Sequence, residues 1–268
     1  MTSTNSTKDF GPIASDYAFF EDHSTEAHQD LAGYAAILES ICASRSNPGL
    51  VRMLDFGSGP GNFTAKFLKL LAYSKNSLSL AVVEPVDAYR EQAVKSLSQY
   101  TALPIRAFAH VETCPESRLN VVLANHVFYY VPDLENTLST LLAKLAHGGV
   151  LMTSIAGLDN TLIQIWQACF TMLGKPLPYN TSEDVQEAFE KLGVAATMQK
   201  IHYRLEFPDT AENRLSILRF LLADYLRELP SEDVVALFDP YVANSGLVSM
   251  RIQHDQLCVV KHGYPGAA

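Results

Sequence analysis

The stretch "MLDFGSGPGNFT" holds a glycine-rich loop between an apolar run and a helical pattern. The loop has the spacing GxGxG, with its glycines at Gly57, Gly59 and Gly61. Glycines let a backbone turn tightly and approach a ligand closely. A dinucleotide-binding loop would need a glycine where the chain has Asn62. Asp55, just before the loop, favours a positively charged amino-acid moiety, because an acid would repel a pyrophosphate.

A second acid, Glu84, ends the next apolar run, "LSLAVVE". A carboxylate at this point of an α/β fold can accept hydrogen bonds from both hydroxyls of a ribose. The order of strand, glycine loop, helix, strand and terminal acid therefore predicts a site for a nucleoside-containing cofactor. The simpler alternative is a tight strand–helix turn and a solvated glutamate.

Two further stretches could bind a small polar ligand. "FFEDHSTE" carries Phe20 and Glu26 ahead of a helical pattern, and "NHVFYY" carries His126, Tyr129 and Tyr130 after an apolar run. Tyrosine faces stabilise cations, and a histidine that titrates near neutrality could accept a proton or only orient a substrate. Simpler readings stay open, since Glu26 could serve the helix dipole and the tyrosines could be core aromatics.

Alternating strand and helix patterns must position these residues. Strands are predicted in "LVRMLDF", "LSLAVVE", "PIRAFAH", "LNVVLANHVFYY" and "VLMTSIAG". Helices are predicted in "GNFTAKFLKLLAY", "DAYREQAVKSLSQY" and "DLENTLSTLLAKLAHGG", the last ending in a glycine pair as a C-cap. The alternation predicts an α/β fold: a Rossmann-like, seven-stranded, mostly parallel sheet with helices on both faces. Its ligand should lie at the carboxyl ends of the strands, where strand order reverses.

Outside this alternation, a first helix is predicted over 25–45, and residues 1–16 are expected to be mobile. After Gly157, helices are predicted in "LDNTLIQIWQACFTML", "TSEDVQEAFEKLGV", "TAENRLSILRFLLADYLRELP" and "SEDVVALFDPYV". Strands are predicted in "AATMQKIHYRLEF" and "DQLCVVKH". We interpret the region between the fifth and last strands as a helical cap inserted into the fold.

The loop DxGxGxG, followed by the acid of the second strand, resembles the class I S-adenosylmethionine-dependent methyltransferases. The resemblance implies S-adenosyl-L-methionine as the cofactor and S-adenosyl-L-homocysteine as its product. It implies one methyltransferase domain over 1–268, with a lid and helix at 1–45, a cofactor-binding core at 46–157, a substrate cap and sixth strand at 158–250, and a last strand and tail at 251–268. The implied cofactor-binding residues are Asp55, Gly57, Ser58, Gly59, Gly61, Glu84 and Asn125.

Shorter stretches resemble the histamine N-methyltransferases: "DHSTE", "VVEP", "YYVPD", a helix with a tryptophan, and "PYNTSEDVQEAFEKLGV", in that order. This resemblance implies methyl transfer to a nitrogen of a small amine by direct in-line displacement, without a metal. Tyr89 and Cys114 would flank the cofactor. The implied catalytic residues are His126 and Tyr129. The implied substrate-binding residues are Phe20, Glu26, Tyr130, Trp166, Phe170 and Asp255.

Two positions depart from that family. His126 stands where the family has glutamine, and Asp255 aligns with an asparagine. Replacing an amide by a carboxylate adds charge and removes hydrogen-bond donors. These differences count against histamine itself and leave another small amine as the expected acceptor. Trp166 could equally be buried against the cap.

Other functions fit the same residues. An O- or C-methyltransferase of a small natural-product intermediate is one, because caps vary freely on one fold. A non-catalytic S-adenosylmethionine-binding protein is another. A nicotinamide oxidoreductase is disfavoured by the GxGxG spacing and by the absence of a Tyr-x-x-x-Lys pair.

The composition sets the expected partners. The chain has 268 residues, of which 48% are hydrophobic and 18% charged, as in globular proteins. A net charge of −9 disfavours a nucleic-acid partner, because phosphates would be repelled. No run approaches the ~18 apolar residues of a membrane span. We therefore expect a cytoplasmic monomer that acts on a small molecule and has no membrane partner.

Overall fold

A computed structural model describes residues 11–42 and 49–262 of the chain. Within these residues, seven strands form one sheet: β1 (Val51–Phe56), β2 (Leu78–Val83), β3 (Arg106–Phe108), β4 (Leu119–Asn125), β5 (Leu145–Ile155), β6 (Thr197–Pro208) and β7 (Leu247–Val260). Their spatial order is β3-β2-β1-β4-β5-β7-β6. β1 to β5 pair in parallel, whereas β7 is antiparallel to β5 and β6. The predicted fold class is confirmed.

Helices cover both faces of the sheet. They are α1 (Ala14–His23), α2 (Glu26–Cys42), α3 (Asn62–Leu71), α4 (Asp87–Leu97), α5 (Leu134–Lys144), α6 (Thr161–Met172), α7 (Ser182–Lys191), α8 (Ala211–Leu222) and α9 (Ser231–Ala236). Along β4, Val122 and Ala124 join one apolar cluster, and Val121 and Leu123 join the other. A strand buried on both faces appears in the sequence as a continuous apolar run, which is why β4 is predictable.

The strand order reverses at β1, which lies between β2 and β4. The carboxyl ends of β1 and β4 therefore lie side by side. The first leads into the glycine loop, and the second leads into the segment that begins at His126. Ligands of open α/β sheets bind at such a reversal, so the topology places both of these segments at one edge of the sheet.

The end of α5 differs from the prediction. The helix ends at Lys144, and "LAHGG" begins β5 instead of forming a glycine C-cap. The ammonium group of Lys261 donates hydrogen bonds of 3.0 to 3.1 Å to the carbonyl oxygens of Leu142, Ala143 and Leu145. The predicted cap is wrong because a lysine distant in sequence binds the carbonyls that a helix end leaves without partners.

The N-terminal region contains a helix that the sequence does not predict. α1 begins at Ala14, inside the segment 1–16 that is expected to be mobile. Its sequence has no helical apolar periodicity, and contact with α8 stabilises it, with Phe20 stacked on Phe220 at a ring-centroid distance of 4.7 Å. Positions 1–10, and the predicted end of the next helix at 43–45, lie outside the described residues.

β7 is longer than predicted. It begins at Leu247 and spans 14 residues, whereas the expected strand starts at Asp255. Polar and charged residues alternate with apolar ones in its first half. A search for continuous apolar runs therefore does not find this part of the strand. The longer strand matters for the site because it places His254 inside the sheet.

Candidate active site

The glycine loop lies against the segment that follows β4. Gly57 has a φ of 72°, and its N–H donates a hydrogen bond of 2.8 Å to the carbonyl oxygen of Val83. A β-carbon at this position would lie 2.2 Å from Cγ2 of Val127. Only glycine permits both this φ and this approach. The loop and the segment from His126 onward therefore form one surface.

Glu84 is held by the loop it faces. Its side chain is buried, with the residue 7% exposed. Oε2 accepts a hydrogen bond of 2.9 Å from the N–H of Gly59, and Oε1 accepts one of 3.0 Å from the N–H of Val86. An ionised carboxylate can accept about four hydrogen bonds, so two acceptor positions remain for ribose hydroxyls. The residues present fit the nucleoside end of the expected cofactor.

Asp55 lies beneath the loop. It is buried and accepts a hydrogen bond from the hydroxyl of Thr64, at the start of α3. Burial, with a smaller contribution from the charge of Glu84, raises the pKa of Asp55 to about 7. The structure thus orients this acid toward α3, and its contact with the cofactor's amino group stays a prediction.

Asp55→Asn is expected to stabilise the protein increasingly as pH rises. The folded-state pKa of about 7 lies above that of the unfolded chain, about 4, so unfolding releases a proton between these values and stability falls as pH rises. Asparagine cannot ionise and can still accept from Thr64. We expect a gain in the free energy of unfolding on the order of 2 kcal/mol between pH 5 and 8, measured by urea denaturation. The exposed Asp22→Asn serves as control, and a pH-independent difference would contradict the assignment.

The other predicted cofactor residues lie around the same edge. The Ser58 hydroxyl donates to the Gly59 carbonyl oxygen at 3.3 Å, and Tyr89 is half-buried on α4. Burial raises the pKa of the Cys114 thiol. Oδ1 of Asn125 accepts a hydrogen bond of 2.8 Å from the hydroxyl of Tyr34 on α2. These positions are compatible with a cofactor lying across the ends of β1, β2 and β4.

Four titratable residues meet where α2 begins. Asp30, one turn after Glu26, is fully buried. Oδ2 of Asp30 lies 2.9 Å from Nε2 of His126, and Oδ1 lies 2.7 Å from Nε2 of His254. Glu26 lies farther out: its carboxylate oxygens are 3.7 Å from Nε2 of His126 and 3.7 Å from Nδ1 of His254. We call Glu26, Asp30, His126 and His254 the acid–histidine cluster.

Charges within the cluster shift its pKa values. Burial alone would raise the pKa of Asp30, but the charges and hydrogen bonds of His254 and His126 lower it well below the usual range. Burial alone would lower the pKa of His126, but Glu26 and Asp30 raise it to about 9. Asp30 is therefore an ionised acceptor, and the Nε2–H groups of both imidazoles donate to it.

The backbone holds His126 in an uncommon conformation. Its φ is 52°, in the left-handed region that costs a non-glycine residue about 1–3 kcal/mol. Its N–H donates a hydrogen bond of 3.0 Å to the carbonyl oxygen of Ser154 on β5. The turn directs the imidazole back toward α2 and Asp30 instead of along the strand.

Residues from β5 and β7 complete the surroundings of Asp30. The Ser154 hydroxyl donates to Oδ1 of Asp30 at 2.8 Å, and the Gln256 amide donates to the Asp30 carbonyl oxygen at 3.2 Å. A β-carbon on Gly33 would lie 2.3 Å from Oε1 of Gln256. Glycine at this position thus lets α2 approach β7 closely enough for these contacts.

Aromatic side chains line the region beside the cluster. The Tyr129 hydroxyl accepts a hydrogen bond of 2.6 Å from the N–H of Ala156 and lies 3.4 Å from Nδ1 of His126. The rings of Tyr129 and Trp166 meet edge to face with their centroids 5.9 Å apart. The Trp166 indole N–H donates to the Leu221 carbonyl oxygen at 2.7 Å, which supports a packing role for this residue.

The remaining predicted substrate residues also contact aromatics. Tyr130 meets Tyr179 edge to face at 5.3 Å, and Phe170 meets Tyr179 at 6.4 Å. Phe20 is buried against Phe220. Of Phe20, Tyr130 and Phe170, only Tyr130 is partly exposed, so it is the one of the three best placed to contact a substrate.

The structure brings His254, and not Asp255, into the cluster. Successive residues of a strand face opposite sides of a sheet. Asp255 pairs with Lys200, its neighbour on β6, at a nitrogen–oxygen distance of 2.9 Å. Asp255 therefore lies outside the acid–histidine cluster, and its contact with a substrate stays a prediction.

Neither Asp30 nor His254 is among the site residues predicted from the sequence. Asp30 could have been found, because residues four apart on a helix share a face and Glu26 is already a candidate. No local signal identifies His254, which is separated from Glu26 by nearly the whole chain. Only the order of the strands brings the two together.

The sequence profile of a methyltransferase-domain family matches residues 24–199, more than half of the chain. The chain belongs to this family. It is a methyltransferase, and its methyl donor is S-adenosylmethionine. The family match includes Glu26, Asp30 and His126 but ends before His254.

Solved structures share the fold of this methyltransferase. A protein of Bacillus halodurans C-125 described as a methyltransferase has a TM-score of 0.55 at 13% identity, over 84% of this chain and 99% of that one. A protein of Galdieria sulphuraria described as a sarcosine dimethylglycine methyltransferase has a TM-score of 0.52 at 12% identity, over 87% of this chain and 84% of that one. The CurJ carbon methyltransferase has a TM-score of 0.50 at 15% identity, over 85% of this chain and 52% of that one. No curated protein matches the methyltransferase in sequence. None of the helices within residues 11–42 and 49–262 combines the length and the apolar character that a membrane span requires.

Proposed function

We propose that this methyltransferase transfers the methyl group to a nitrogen of a small amine by direct in-line displacement. The observation that carries the proposal is the Glu26 carboxylate, whose side chain is 18% exposed beside the end of β4. No lysine or arginine of the described residues pairs with it. A carboxylate held in this way attracts a cationic or hydrogen-donating group, as an amine is.

The proposed cofactor position follows from the shared surface of the two segments. Gly57 to Gly61 would lie behind the methionine part, Glu84 would bind the ribose, and Asn125 would lie beneath the methyl group. Tyr89 and Cys114 would flank the cofactor. Val127 contacts Gly57 directly, so a substrate at His126 would lie next to the cofactor site.

The proposed reaction depends mainly on how the amine is positioned relative to the methyl group. S-adenosylmethionine supplies an activated methyl group on a sulfonium. The chain must hold a neutral amine with its lone pair about 3 Å from that methyl and in line with it. Tyr129 and Tyr130 offer aromatic faces that stabilise cationic groups. We assign His126 and Tyr129 to the walls around the reacting atoms, where they would orient the amine.

The fold alone does not determine whether the methyl acceptor is a nitrogen, an oxygen or a carbon atom. The similar structures include one named for sarcosine and dimethylglycine and one named as a carbon methyltransferase. The deciding experiment measures S-adenosylhomocysteine formation with panels of small amines, phenols and carbon acids. Turnover with amines supports the proposal, and turnover only with phenols or carbon acids overturns it.

Glu26→Gln is expected to raise the KM for the amine about tenfold, with the KM for S-adenosylmethionine unchanged. The reason is that a charge-assisted hydrogen bond is worth about 1.5–3 kcal/mol, of which glutamine retains part. Steady-state kinetics with each substrate varied in turn would show the split. Glu39→Gln, exposed on the same helix, is the matched control. An unchanged amine KM in Glu26→Gln would remove Glu26 as the anchor.

A further inference from the structure

Glu26, His126 and His254 present one carboxylate and two imidazoles to a common point. They come from the start of α2, the turn after β4 and the middle of β7. One ligand atom from each lies within 4.8 Å of the others. The rings of His126 and His254 are nearly perpendicular, with their centroids 4.9 Å apart. The three side chains thus converge from different directions.

Nδ1 of His254 is a buried atom without a partner among the described residues. The side chain is 0% exposed, and Nδ1 makes no hydrogen bond. Since Nε2 faces Asp30 at 2.7 Å, Nδ1 is the ring atom of His254 that points toward Glu26. The Glu26 oxygen that faces it lies 3.7 Å away, beyond hydrogen-bond distance. An imidazole nitrogen and a carboxylate oxygen at this separation can both be ligands of one metal ion.

We propose that Glu26, His126 and His254 bind a divalent transition-metal ion. Two ligand atoms, each about 2.1 Å from a tetrahedral or octahedral centre, lie about 3.0–3.4 Å apart. The observed separations of 3.7 Å from Glu26 to each imidazole are close to this range. Because the three ligand atoms lie within 4.8 Å of one another, metal binding would draw the side chains together. The site extends beyond the proposed function because it does not depend on which atom receives the methyl group.

Asp30 supports the same assignment. Metal-bound histidines almost always donate their other ring N–H to a carboxylate or carbonyl oxygen. His254 does so with Asp30, which Ser154 holds in turn. At His126, Nε2 now contacts Asp30 at 2.9 Å, so the metal would replace the proton there.

The donor set indicates the kind of metal. Two imidazoles and one carboxylate suit Zn²⁺, Fe²⁺, Mn²⁺ or Co²⁺, whereas Mg²⁺ and Ca²⁺ prefer oxygen ligands. Three protein ligands leave coordination positions open. The side chains of Glu26 and His126 are 18% and 21% exposed, so a substrate donor atom can reach the ion. Glu26 would then act on the acceptor through the metal.

The test uses the full chain, stripped with EDTA and titrated with Co²⁺ as a spectroscopic probe. We expect new visible absorption that saturates at about one Co²⁺ per chain. Glu26→Gln and His126→Asn, both at partly exposed positions, should each weaken Co²⁺ binding by at least about 100-fold. His202→Asn, exposed on β6, should bind like the wild type, and circular dichroism would verify that each variant is folded.

Two results would overturn the metal site. One is the absence of saturable Co²⁺ absorption in the folded wild type. The other is equal Co²⁺ affinity in wild type, Glu26→Gln and His126→Asn. Because the titration contains no methyl acceptor, its failure is distinguishable from a failure of the amine proposal.

Discussion

Glu84→Ala is expected to weaken S-adenosylmethionine binding by about 100-fold. Each hydrogen bond to a charged group contributes about 1.5–3 kcal/mol, and a factor of ten in Kd corresponds to about 1.4 kcal/mol. The variant removes the carboxylate proposed to bind the ribose. It also leaves the N–H groups of Gly59 and Val86 without their acceptor, so the loop loses its support at the same time. Isothermal titration calorimetry with S-adenosylmethionine would measure the change.

The control for this prediction is Glu91→Ala, an exposed acid on α4, which should bind the cofactor normally. Glu84→Gln separates the two contributions, because an amide can still accept from Gly59 or Val86 but has fewer acceptor positions for hydroxyls. Its affinity should fall between those of the wild type and Glu84→Ala. Wild-type affinity in Glu84→Ala would rule out the ribose role.

Asp30→Ala is expected to lower the free energy of unfolding by about 3–5 kcal/mol, because breaking a buried ion pair leaves uncompensated buried partners. His126, His254 and Ser154 would all lose the carboxylate to which they donate. Urea denaturation in the presence of EDTA would measure the loss without any contribution from metal binding.

Asp22→Ala, an exposed acid on α1, is the matched control and should change stability by less than about 0.5 kcal/mol. A loss below about 1 kcal/mol in Asp30→Ala would mean that the cluster relaxes and that its hydrogen bonds contribute little. In that case the geometry would not be rigid enough to hold a ligand.

The acid–histidine cluster also holds the start of α2 in place on the sheet. Asp30 joins α2 to the turn after β4, to β5 and to β7 through one carboxylate. The helix start that carries Glu26 is thereby fixed over the sheet edge. In-line methyl transfer needs the helix start and Glu26 to be held rigidly, because small displacements of the acceptor reduce the rate strongly.

Much of the fold follows from local signals. The glycine loop, Glu84 and the apolar strands β1, β2 and β4 are predictable because backbone conformation and side-chain period are properties of a few neighbouring residues. α1 is missed because only its contact with α8 stabilises it. The C-terminal cap of α5 is missed because its partner, Lys261, comes from the far end of the chain.

The sequence by itself determined the class of protein, because the glycine loop and the strand–helix alternation are local patterns. It also predicted a nucleoside site at a strand reversal, with an acid and two tyrosines close to it. Tertiary structure alone decided which acids and imidazoles meet. Glu26, His126 and His254 are brought together by the strand order, and no short-range pattern records that order. Strand register then selected His254 over Asp255, because a shift of one residue moves a side chain to the other face of the sheet.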